Sequence, residues 1–407
     1  MGRGLSTAKT RQYVPQVKIP ILLNVLMAPA IAAPEALEVS VAYTGDLIRN
    51  TTGGVAVGDT YLDNVDLTLS VDGERAFRIP RLRLFAHGLH NNKPRFSERF
   101  SGDAMTASSI DAPRATRLYE AWLEYTFDAH RLGSFRFGLY DLNTEFDTSD
   151  SRGLFVNSSF GVGHDLGQSG LHGPSIFPVT SLALRFALKP HADWLLLVAA
   201  LDGVPGDPDD PTATTVRLDP DDGALLIAEL QRAGPRDARL AAGIWRYTKD
   251  GPRIDDELLG AVPSRTTGRA GAYANVDFEI WRESASSQRS LRSFARAGYA
   301  SDAAHEYDLN AQAGFTWQQP WSRSDEERVG IALSYSRASS SYREARSTLG
   351  SPVDSGELVT ELTYRRALAS WLTLQPTLQY INSPSAEPER RDAFVVGLRF
   401  ELVGAWP

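Results

Sequence analysis

The chain has 407 residues, 50 Asp and Glu against 42 Lys and Arg, a formal net charge of −8 and no cysteine. The missing cysteines exclude a disulfide framework, a thiolate metal centre and a cysteine nucleophile. The acidic balance argues against nucleic acid as a partner, and past the N-terminal region no run of about 18 apolar residues could cross a membrane as a helix.

Residues 1–33 carry Arg3, Lys9, Arg11 and Lys18, no acid, an apolar stretch from Ile19 to Ala33 and the small-residue site Ala30-Ile31-Ala32. A basic start, a short apolar run and a small-residue cleavage site read as a secretory signal peptide. Its removal takes the charge to −8 − 4 = −12. Residues 34–407 are then one barrel domain.

From Leu37 onward the pattern has period two, and runs of this kind predict about sixteen strands. Their approximate spans are 37–48, 61–71, 78–89, 117–127, 132–142, 180–188, 193–203, 223–232, 238–248, 268–281, 290–301, 306–318, 327–338, 356–367, 370–381 and 392–402. In 117–127, Tyr119, Ala121, Leu123, Tyr125 and Phe127 share a face opposite Glu120, Trp122 and Glu124. In 271–281, Ala272, Ala274, Val276, Phe278 and Ile280 oppose Tyr273, Asn275, Asp277 and Glu279. The last run sets Phe394, Val396, Leu398, Phe400 and Leu402 against Val395, Gly397, Arg399 and Glu401. Such alternation is that of strands with one apolar and one polar face.

The connections sort by parity. Short turns join strands four to five, six to seven, eight to nine and fourteen to fifteen. The connections between are mostly long, at 49–60, 90–116, 143–179, 204–222, 249–267 and 339–355, with 302–305 the exception. A soluble sandwich has no reason to place its long loops on one side. An outer-membrane barrel does, with short periplasmic turns and long external loops. The fold class is therefore all-β: a closed antiparallel transmembrane β-barrel of about 16 strands, wide enough for an aqueous channel. Aromatics near predicted strand ends, among them Tyr119, Tyr140, Trp194, Trp245, Tyr247, Trp281, Trp317, Trp371 and Tyr380, are expected to form interfacial girdles. The longest connection, 143–179, is rich in Gly and Ser yet holds Phe146, Phe155, Phe160, Ile176 and Phe177. Apolar anchors in so long a loop imply packing, and the inner wall is the surface on offer. The loop is expected to fold into the lumen and narrow it.

Several runs also resemble the carbohydrate-selective porin (OprB-type) family. They are Arg117-Leu118-Tyr119-Glu120, Gly138-Leu139-Tyr140-Asp141-Leu142-Asn143, Asn157-Ser158-Ser159-Phe160-Gly161, Gly173-Pro174-Ser175-Ile176-Phe177-Pro178 and Asp202-Gly203-Val204-Pro205-Gly206-Asp207-Pro208. The likeness is densest over about 42–230. It implies a sixteen-stranded bacterial outer-membrane barrel that passes small carbohydrates by passive diffusion. The chain departs from the pattern by continuing past Leu402 to Pro407.

A sugar path needs aromatic faces for pyranose rings and charged groups for hydroxyls. Arginine suits the second task, and the chain has 37 Arg against 5 Lys. Pore-lining candidates on the polar faces near the long loop are Arg81, Arg83, Glu120, Trp122, Glu124, Arg136 and Arg185. The constriction-loop candidates are His164, Asp165, Gln168 and His172. None of the seven His lies in an H-E-x-x-H or G-x-S-x-G setting, so no enzyme is expected. The stretches Asp207 to Asp210 and Asp219 to Asp222 fit no EF-hand spacing, so no metal or cofactor is expected either. The second reading is a non-transporting outer-membrane barrel, an esterase-type enzyme or a surface-binding protein. Expected partners are small carbohydrates and outer-membrane lipid; a monomer and a homotrimer both stay open.

Overall fold

A computed structural model describes residues 17–18, 36–92, 95–127, 132–210, 212–260, 266–321 and 327–406. The signal-peptide reading falls almost wholly outside that set.

Sixteen strands form one closed antiparallel barrel in which each pairs with its neighbours in sequence. They are β1 (Leu37–Thr52), β2 (Gly58–Asp72), β3 (Leu82–Asn91), β4 (Ala115–Thr126), β5 (Gly133–Tyr140), β6 (Ser181–His191), β7 (Trp194–Asp202) and β8 (Ala224–Ala233). Then come β9 (Arg239–Tyr247), β10 (Ala270–Arg282), β11 (Ser290–Ala300), β12 (Tyr307–Gln318), β13 (Arg328–Ala338), β14 (Gly356–Ala369), β15 (Leu372–Asn382) and β16 (Ala393–Trp406). β1 and β16 close the wall, from Val39 opposite Trp406 to Thr52 opposite Phe394. Closure leaves no edge strand, so the ladder satisfies the backbone polar groups of the wall, apart from the bulge in β4, where the Leu118 N–H donates to Thr214 at 2.7 Å.

Burial is the reverse of a soluble protein's. Ile244 is 65 % exposed, and Leu47, Phe137, Phe186, Ile331 and Leu398 also face outward. Arg296 is 3 % exposed, and Glu229, Asn310, Gln312, Glu361 and Gln379 are buried with it on the inner faces. An apolar outer belt around a polar interior is the arrangement a bilayer requires. The long connections, at 92–114, 141–180, 203–223, 248–269 and 339–355, all leave the same end. The Ser301–Glu306 connection leaves that end too but stays short, built on a 3-10 turn at Asp302–Ala304.

Four aromatics depart from the girdle expectation. Tyr119, Tyr140, Trp245 and Tyr247 are buried, on or turned toward the inner face, where loop side chains cover them. Trp281, Trp317, Trp371 and Tyr380 remain outward and exposed. Tyr119 moves because the register slips between His87 and Gly88: His87 faces Glu120 while Gly88 faces Leu118. The extra residue forms a bulge, and a bulge re-aims the side chain it carries.

Candidate functional site

Two connections turn back from the long-loop end against the polar inner face. A segment outside the ladder must satisfy its own N–H and C=O groups, and here the wall supplies the partners. In the segment 141–180, the N–H of Asp147 donates to Glu229 (2.7 Å) and that of Ser151 to Asp277 (2.9 Å). The N–H groups of Val156 and Asn157 both donate to Glu361, at 2.7 and 2.9 Å. Gln312 and Gln375 donate to the carbonyls of Ser159 and Leu154, each at 2.6 Å. Leu142, Phe146 and Leu166 bury themselves against Leu197, Leu201, Leu225, Ile227 and Trp245 of β7–β9. That inner wall is apolar because the loop covers it. The segment 95–114, not anticipated as an inner element, docks on the other side. The N–H groups of Ala104 and Met105 donate to Glu357, and Gln379 donates to the carbonyl of Ala107.

An ionic latch fixes the long loop. Arg296 of β11 meets Asp147 at 2.9 Å and Asp165 at 2.5 Å, and Arg152 meets Asp147 at 2.9 Å. All four side chains are buried. Burial alone would raise the Asp147 carboxyl, but Arg296 and Arg152 hold it below its ordinary range. Two glycines make room for the latch. A Cβ on Gly163 would lie 1.9 Å from the Arg296 guanidinium, and one on Gly298 2.3 Å from the Asp165 carboxylate.

A compact charged cluster stands where β4, β5 and β6 meet the start of the loop. Arg136 reaches Glu124 (2.6 Å) and Glu145 (3.3 Å); Arg185 reaches Glu145 (2.8 Å) and Glu124 (3.2 Å). Two cations and two anions leave a formal sum of 2 − 2 = 0. The Arg136 guanidinium also lies 3.8 Å from the Trp122 ring centroid, within cation–π range. Aromatic contacts continue in both directions. Trp122 stacks on Phe85 at 4.8 Å, His87 meets Phe85 edge-on at 6.3 Å and Tyr119 at 5.1 Å, and Tyr119 meets Phe177 at 6.3 Å. His87 Nε2 lies 2.9 Å from Asp66. Glu120 accepts from the Trp122 indole at 3.2 Å and from the N–H of Asp141 at 3.2 Å.

This row joins two cavities. One, about 350 Å³, lies between the two inner loops and is lined by Thr106, Ser108, Asp141, Asn143, Gln168 and Phe177. The other, about 710 Å³, opens toward the short-turn end past Glu38, Ser70, Asp72 and Arg83. Burial pushes the Asp141 carboxyl up to about 7, against the Tyr119 hydroxyl that donates to it.

The structure brings Glu120, Trp122, Glu124, Arg136 and Arg185 together. Arg83 stands beside them, exposed, 6.0 Å from the Trp122 ring and bonded to Ser70. Arg81 does not join. It precedes β3 with a left-handed backbone (φ 68°), and its guanidinium sits 5.6 Å over Tyr125, whose ring meets Phe135 in turn. The predicted strand began too early, which placed Arg81 on an inner face it does not occupy. Asp165 serves the latch. His164 is buried, with Nδ1 3.0 Å from Ser336 and its ring 4.7 Å from Tyr307. Burial pushes its imidazole down to about 4. Gln168 lines the upper cavity, and His172 is exposed. Sequence reasoning missed Glu145, Asp147, Arg152 and Arg296.

Arg83 is exposed and bonds Ser70, so its removal costs the fold little. Arg83→Ala is expected to lower anion preference in planar bilayers while shifting stability by no more than about 0.5 kcal/mol. Unchanged reversal potentials under a salt gradient would remove Arg83 from the path.

A family model described as "Carbohydrate-selective porin, OprB family" matches residues 57–403. The chain is 22 % identical over 397 residues to Porin B of Pseudomonas aeruginosa, covering 89 % of this chain and 86 % of that protein. Its fold is similar to OprB of Pseudomonas putida in the high-pH structure, with TM-score 0.80, 18 % identity, and 91 % and 94 % of the two chains covered. It is also similar, at TM-score 0.54 and 11 % identity, to the outer membrane channel DcaP of Acinetobacter baumannii, with 90 % and 97 % covered.

Proposed function

The chain belongs to the OprB family of carbohydrate-selective porins, and from that premise we infer the route by which its barrel passes sugars. It is a sugar-selective porin of the bacterial outer membrane, and the family is not one of enzymes. The esterase-type alternative falls with that assignment. The buried Ser–His side-chain contact among the described residues, Ser336 with His164, is also sealed under the loop.

The route enters the cavity between the two inner loops, passes His87 and Phe85, which the buried Tyr119 and Trp122 back, and leaves past Arg83. The observation that carries this reading is the unbroken row of aromatic contacts joining the two cavities. A pyranose ring presents apolar C–H faces and a rim of hydroxyls. The aromatic row serves the first, and Glu124, Arg136 and Glu145, held in place by the buried Arg185, serve the second. Loop 141–180 is the constriction because it covers the inner wall from β7 to β15, while the segment 95–114 covers β1 and β2 near the long-loop end, which leaves the inner faces of β3–β5 for solute. With the cluster's charges balanced, a neutral solute displaces no counter-ion when it passes.

Liposome swelling with the refolded chain tests the reading. Glucose is expected to enter fastest, maltose more slowly, and amino acids of matched size more slowly than either. Equal rates for sugars and amino acids would overturn the sugar route. No swelling from a verified barrel would overturn the open channel.

A further inference from the structure

The outer wall of β6–β9 carries a groove that the sugar route does not use. Its two rows are fixed by the ladder. Phe186, Val198, Ala228 and Ile244 lie side by side, and one pleat nearer the long-loop end Leu184, Ala200, Leu226 and Arg246 do the same. Ala200 and Ala228 sink between larger neighbours, and the resulting apolar groove has a volume of about 380 Å³. Arg246 caps it. This arginine is exposed and outward-facing, forms no ion pair with any described residue, and stands one pleat above the level of Ile244, Ala272 and Tyr299. Arg49 and Arg337, also at that end of the barrel, are paired with Asp59 and Asp308.

We propose that this groove binds one acyl chain of a phosphorylated lipid of the outer leaflet, with the lipid's phosphate on Arg246. The inference rests on the outer-membrane placement of the barrel. The long loops are external, so Arg246 lies at the depth of outer-leaflet headgroups. A lone guanidinium above an apolar trough complements an anionic head on an apolar tail. A second copy of the barrel fits less well, because the groove offers no carboxylate and an unpaired buried guanidinium is costly.

The test is native mass spectrometry of the refolded full chain with bis-phosphorylated lipid A, and with phosphatidylethanolamine as the comparison lipid. The wild type is expected to retain one lipid A and to prefer it. Arg246→Gln should cut that retention about fivefold, and Ala228→Trp, which fills the trough, should abolish it. Sugar-driven swelling should be unchanged in both variants, which separates a failure here from a failure of the channel reading. Equal retention by all three proteins, equal retention of both lipids, or a barrel dimer that Ala228→Trp disperses would each overturn the lipid site.

Discussion

Arg296→Met is expected to free the long loop from the wall and raise single-channel conductance, at a stability cost of about 3–5 kcal/mol. The guanidinium is fully buried between Asp147 and Asp165. Its removal leaves Asp165 with no cation, while Asp147 keeps Arg152. A carboxylate stranded in a desolvated site is the expensive outcome, far more so than the loss of the pair's attraction. The strain falls on the segment around His164–Gly167, because Asp165 belongs to it. The remaining anchors of that segment are the buried Leu166, the His164–Ser336 contact and the Gly163 N–H donated to Asp147, none of which neutralises Asp165, so it is the part that yields. The double variant Arg296→Met, Asp165→Asn removes the stranded charge and should recover most of the lost stability. Heat or urea midpoints in detergent, set beside bilayer conductance, decide the matter. A variant with wild-type midpoint and wild-type conductance would show that the latch does not hold the loop.

The wall of this barrel is legible in the sequence, and its contents are not. Strand order and number follow from two local signals, side-chain alternation and the parity of connection lengths, and both act within one strand or one turn. Boundaries shift where a turn borrows alternating residues, as at Arg81, or where a bulge adds one, as at Tyr119. The aromatic anchors of 143–179 announce that the loop packs, but nothing local says against what. Its partners are Glu229, Asp277, Arg296 and Glu361. Each already had a sufficient local explanation as the polar face of a strand. Pairing Asp165 with Arg296 joins residues 131 apart, and only closure of the barrel brings β11 opposite the loop. Trp245 and Tyr247 misled for the same reason. An aromatic near a strand end reads as girdle until something inside is known to cover it. Five of the seven wall candidates do meet, because β4, β5 and β6 are adjacent in sequence and their polar faces could be read directly.

Adjacency also makes the charged cluster a sensitive place to test selectivity. Arg136→Ala is expected to turn the constriction toward cations and to weaken sugar block of ion current about tenfold. With Arg136 gone, Glu124 and Glu145 share Arg185 alone, and the formal sum moves from 0 to 1 − 2 = −1. A single uncompensated charge in a narrow, partly desolvated ring governs which ion enters, whereas the chain's net charge does not. Glu145→Gln should move the preference the other way, since the sum becomes 2 − 1 = +1. The sugar effect has a second source. The Arg136 guanidinium lies over Trp122, and the Trp122 ring stacks in turn on Phe85 beside the path; a stacked aromatic contact is worth about 0.5–1.5 kcal/mol beyond its buried area. Trp122→Ala should therefore weaken sugar block to a similar degree while leaving ion preference unchanged, because it alters no charge. Reversal potentials and maltose titrations of current noise give the two quantities separately. If Arg136→Ala and Trp122→Ala shift both quantities alike, the division of labour between ring and charge is wrong. If neither shifts sugar block, solute passes elsewhere in the barrel.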